Sequence, residues 1–121
     1  MTDRTAPYRL TRLAEQDVAD ILRASARRFG PVQRDRYAAL IERAALMIAE
    51  QPARPGSRPR DELADGVRSF HVELAAGRRG AASHTLYYVP GSSIGLADAV
   101  LVLRVLHDAM EPGLHLSGGV E

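Results

Sequence analysis

Five side chains in the second half of the chain are the ones best equipped for chemistry: Arg68, His71, His84, Arg104 and His107. An imidazole changes charge near neutral pH and serves as general acid or base. A guanidinium holds phosphate or carboxylate through its planar fork. Together they would suit proton transfer around an anionic group. Asp108 follows His107 directly and would repel a phosphate placed beside it. It also offers His107 a plain structural partner, as does the turn that must follow. Arg104 stands among apolar neighbours and needs a carboxylate or carbonyl if buried; Asp17, Glu73 and Asp108 are the candidates. His71 and His84 read as ordinary strand residues. The histidines are widely separated and the chain has no cysteine. No metal site, disulfide or thiolate nucleophile is therefore expected, and no cofactor.

The elements that must position these residues fall in two blocks. Tyr8–Leu10 reads as a short strand, and Thr11 as a helix N-cap. Ala14, Val18, Ile21, Leu22, Ser25 and Phe29 recur at helical spacing and make one buried stripe. Gly30 caps this helix and Pro31 opens the next. Tyr37, Leu40, Ile41, Ala44, Met47 and Ile48 then repeat the period until Pro52 stops it. Two helices joined so tightly should form a hairpin. Residues 52–66, with three prolines and two glycines, read as a loop.

Beyond this loop the period becomes that of strands. Val67–Leu74 alternates, with Phe70, Val72 and Leu74 on one face and Ser69, His71 and Glu73 on the other. His84–Val89 is a second strand, in which Tyr87 and Tyr88 have opposite parity. One should enter the core and the other line a surface groove. Ala99–Leu106 is nearly all apolar and should be central, covered on both faces. Glu111-Pro112-Gly113 ends the ordered part. The layout is α+β: an N-terminal strand, a helical hairpin and a three-stranded antiparallel meander. It forms one domain over residues 8–116, with flexible ends at 1–7 and 117–121.

Composition narrows the classes. The formal net charge is +1, all sixteen basic residues are arginine, and none is lysine. A nucleic-acid-binding domain usually carries a marked excess of base, so direct sequence-specific binding to nucleic acid is not expected. The first twenty residues are too charged for a signal peptide, and no apolar run approaches the ~20 residues of a membrane span. A soluble cytoplasmic protein without membrane contact is the expectation.

The element order and several segments resemble the ParE/RelE toxins. Tyr8-Arg9-Leu10-Thr11, followed by Ala14, Asp17 and Ile21, is similar to their opening strand and first helix. Phe29-Gly30 and Tyr37 fit the turn and second helix. Gly66-Val67-Arg68-Ser69-Phe70 and His84-Thr85-Leu86-Tyr87-Tyr88 resemble the next two strands. Arg104-Val105-Leu106-His107-Asp108, with Met110, His115 and Leu116, follows the ParE-type ending.

The resemblance implies one of two activities. RelE-like members cut mRNA; ParE-like members poison DNA gyrase. Both are neutralised by an antitoxin. A metal-independent ribonuclease would draw on Arg68, Arg104 and His107, but nuclease relatives tend to continue with a tyrosine where this chain has Asp108. The weak net charge and missing lysine also disfavour docking to ribosomal RNA. The expectation is a type II toxin that binds gyrase without catalysis and pairs as a hetero-oligomer with a ParD-like antitoxin. A fold retained for antitoxin binding, with toxicity lost, is the remaining alternative. Contacts to target or antitoxin are expected at Arg78, Arg79, Tyr87, Arg104, His107, Asp108, Met110, His115 and Leu116. Arginines beside an apolar groove would steer and register an acidic segment.

Overall fold

A computed structural model of the chain describes residues 7–95 and 99–116. The expected flexible ends lie outside these residues, except for Pro7, whose carbonyl accepts the Val100 N–H at 3.2 Å. Strand β1 (Tyr8–Leu10) leads into helix α1 (Arg12–Phe29). Thr11 makes that transition: its Oγ1 accepts the Ala14 N–H at 3.0 Å and donates to the Leu103 carbonyl at 2.7 Å. One hydroxyl thus caps the helix and ties it to the far end of the chain. At Gly30 the backbone takes φ 91°, which an L side chain would resist, and helix α2 (Pro31–Glu50) begins at once.

The sheet contains β2 (Arg58–Pro59), β3 (Arg68–His71), β4 (His84–Pro90) and β5 (Val100–His107) besides β1, in the order β1-β5-β4-β3-β2. The expected meander is β3-β4-β5, antiparallel throughout. β1 joins β5 in parallel, Tyr8 opposite Val100 and Leu10 opposite Val102. Both faces of β5 are covered. Val100, Val102 and Val105 join Phe70, Leu86 and Tyr88 in a core shared with Ile41, Ala44 and Ile48 of α2. Leu103 and Leu106 join Val67, Tyr87, Val89 and Leu116 in a second core. Among the described residues no helix is long and apolar enough to cross a membrane.

Five local expectations are corrected. The alternation over Val67–Leu74 breaks at His71: a helical turn, α3 (Glu73–Ala76), follows, and Gly77 at φ 68° ends it. Leu74 is consequently 40% exposed instead of facing the core. Phe29 ends the buried stripe of α1 in sequence, yet it is 64% exposed, because α1 stops there and the chain turns away; its ring lies under the Arg28 guanidinium. The loop at 52–66 contains β2, which adds an edge to β3. Order also continues past Gly113 through a helical turn, α4 (Pro112–His115), to the buried Leu116. Tyr87 and Tyr88 do point to opposite faces, but each face has its own core, so both are buried.

Candidate functional site

Register brings together histidines that are far apart in sequence. His84 opens β4 and stands opposite His107, the last residue of β5, with their rings edge to face at 5.2 Å. From α2, Tyr37 completes the group. Its hydroxyl accepts the Ser83 N–H at 3.1 Å, so its single proton is free to go to His84 Nδ1, 2.7 Å away. His107 Nδ1 accepts the Ala109 N–H at 2.9 Å. His71 Nδ1 accepts the Glu73 N–H at 3.1 Å, and its Nε2 donates to Asp108 at 3.0 Å. Nδ1 is the acceptor in all three rings, which assigns the ring proton to Nε2. A cleft of about 350 Å³ between the helices and the β3–β4 loop is lined by Ile21, Arg28, Phe29, Tyr37, His84 and His107.

Burial pushes the His84 pKa down to about 4, helped by His107 and opposed by Asp108. Burial also raises the Tyr37 phenol, which keeps it a donor. His84 is thus a neutral structural group in the ordinary pH range, and a poor proton acceptor for catalysis near neutrality. The folded pKa lies below the unfolded value, which fixes the sign of the pH dependence. Above pH 6.5 both states are neutral and the stability is intact. As pH falls from 6.5 towards 4, the unfolded chain gains a proton that the fold resists, and stability is lost. Discounted for the partial exposure of His84, the loss is about 1–2 kcal/mol. Urea unfolding of His84→Gln should show a flatter stability curve across this window; an unchanged slope would assign the effect to another group.

Arg104 finds the first of its three candidate partners. Its Nε and Nη2 donate to Asp17 at 2.8 and 2.9 Å, and its Nη1 donates to the His115 carbonyl at 3.3 Å. Asp17 also accepts the Val105 N–H at 2.9 Å. β1 pairs with β5 only as far as Val102, so the β5 edge beyond it needs other partners. Thr11 takes Leu103 and Asp17 takes Val105.

The residues that a ribonuclease would need are not assembled. Arg68 stands opposite Tyr88, which stands opposite Val102, whereas His107 is at the far end of β5. Arg68 donates to Ser57 at 2.8 Å; Ser57 contacts the Tyr88 hydroxyl, which donates to the Pro52 carbonyl. That chain pins the long loop. Arg104 is engaged as described. Among the described residues no group of three or more His, Asp or Glu is placed to hold a metal ion.

The expected contact residues are divided. Arg78 and Arg79 lie exposed in the β3–β4 loop. His107, Asp108 and Met110 are exposed after β5, and His115 is intermediate. Tyr87 and Leu116 are buried in the second core, with the Arg60 guanidinium over the Tyr87 ring. Sequence reading missed Leu114, which is 78% exposed and, among the described residues, the most exposed of the large apolar side chains. It also missed the half-buried setting of His84, although the shared parity of His84, Leu86 and Tyr88 carries that signal. Beyond β5 the chain thus exposes two large apolar side chains, Met110 and Leu114, and the β3–β4 loop exposes Arg78 and Arg79.

A family model described as the ParE toxin of type II toxin–antitoxin systems, parDE, matches residues 8–112. Toxin ParE1 of Caulobacter vibrioides is 33% identical over 110 residues, covering 91% of this chain and 97% of that protein.

Proposed function

Because the chain belongs to the ParE toxin family of type II toxin–antitoxin systems, we propose that it arrests its target, DNA gyrase, by binding and is held inactive by a ParD-like antitoxin. Membership of the family already implies an antitoxin partner. The supporting observation is the employment of the possible catalytic set. Arg68 pins a loop, Arg104 is paired with Asp17, and His107 caps its own turn through Nδ1. A binding toxin needs none of them free. It needs an exposed apolar anchor and charges that steer an acidic partner. Met110 and Leu114 would supply the anchor for the target, and Arg78 and Arg79 the steering for the antitoxin. With these partners the activity would be cytoplasmic and the inactive state a hetero-oligomer.

Purified toxin without antitoxin, incubated with gyrase, supercoiled DNA and ATP, should trap double-strand cleavage in a dose-dependent way, and added antitoxin should abolish it. Intact DNA and undisturbed supercoiling, from folded protein that still arrests growth, would remove gyrase as the target and redirect the search to mRNA. Folded protein that binds antitoxin without arresting growth would mark a fold retained for binding alone.

A further inference from the structure

We propose that Arg104 is a positioning residue that holds the C-terminal turn in the pose presented to the target. This inference rests on the reading of Met110 and Leu114 as the target-facing tip.

The geometry forms a relay. The Val105 amide at the edge of β5 fixes the Asp17 carboxylate, and Asp17 takes two of the guanidinium donors of Arg104. With the fork so oriented, Nη1 is directed to the His115 carbonyl. The ion pair is well covered, with side chains 15% and 13% exposed. The bonds of Leu114 to Glu111 and of Leu116 to Pro112 are local to the turn. Among the described residues, the bond from Arg104 is the one hydrogen bond joining residues 111–116 to the rest of the fold. The other anchor is Leu116, buried in the second core. Packing fixes how deep the turn sits. A directional bond to His115 fixes its rotation, and with it the direction in which Leu114 points.

Only arginine fits this role. Its planar guanidinium donates to a carboxylate with two nitrogens and keeps the third for another acceptor. A lysine ammonium would follow Asp17 and leave His115 unbonded, without loss of charge.

The test is Arg104→Lys, with Asp17→Asn as a second variant that weakens the same fork if the first does not fold. Hydrogen exchange of the 111–116 segment should quicken about tenfold, and the dose for half-maximal gyrase-dependent cleavage should rise about tenfold. In Arg104→Lys, which keeps Asp17 and its bond to Val105, the rest of the sheet should keep its protection. Leu114→Asp serves as the contrast, losing potency with unchanged exchange in the turn. Unchanged exchange in a folded Arg104→Lys protein would overturn the clamp. Quickened exchange with wild-type potency would overturn its role in presentation. Failure of the gyrase reading would be visible separately, since wild-type protein would then trap no cleavage. Growth arrest would in that case be the potency measured beside exchange.

Discussion

Leu114→Asp is expected to weaken the proposed gyrase inhibition on the order of a hundredfold while leaving the melting temperature almost unchanged. Leu114 is 78% exposed, so the folded protein gains little from its side chain, and a surface change of this kind stays within about 0.5 kcal/mol of stability. At an interface the same side chain has a different value. Removing an apolar anchor from the centre of a contact costs about 2–4 kcal/mol, and a carboxylate left there without a partner adds to it. A loss of about 2.7 kcal/mol is already a hundredfold in affinity. The measurement is a dose series in the cleavage assay, beside thermal unfolding of the same preparation. Wild-type potency would place the target contact elsewhere, with the arginine loop at Arg78 and Arg79 the next surface to test.

A second large effect is expected at Asp17, this time on stability. Asp17→Ala should cost about 3–4 kcal/mol and lower the melting temperature by roughly 10–15 °C. The substitution removes the acceptor of two guanidinium donors and of the Val105 N–H together. It leaves a largely covered cation without its carboxylate, which is the expensive way to break such a pair. Asp20, three residues along the same helix, is a ready control. Its pair with Arg23 has both side chains more than half exposed, and Asp20→Ala should cost under about 0.5 kcal/mol. Calorimetry of the two proteins decides the matter. Similar melting points would mean that water replaces Asp17 at little cost.

Legibility in the sequence followed the range of each physical signal. α1 and α2 were readable because the helical period and the Gly30-Pro31 punctuation are local. β5 was readable because a nearly unbroken apolar run has to be covered on both sides. Phe29 misled, since periodicity reports which side of a helix a residue is on but not whether the core extends that far. Leu74 misled for a related reason: alternation persisted by chance into α3, where the backbone had already left the strand. Parallel pairing of β1 with β5 lay beyond local reading, because nothing within three residues names a partner about ninety residues away. Asp17 was among three acids proposed for Arg104, and only the position of α1 along the β5 edge selects it. The meeting of Tyr37, His84 and His107 likewise follows from strand register, which no single segment encodes.

The pairing of β1 with β5 also bears on how the protein is made. As the chain leaves the ribosome, β1 and both helices emerge while the strand that must lie beside β1 has yet to be synthesised. Thr11 and Asp17 wait as well, since their acceptor and donors belong to Leu103, Arg104 and Val105. A nascent chain short of β5 therefore carries an unpaired strand and an amphipathic hairpin lacking the central layer of its core. Closing contacts of such long sequence separation makes folding slow relative to a helical protein of the same size. Chains released before β5 is complete would be substrates for proteolysis, and the toxic surface would come into existence only after that strand had been delivered.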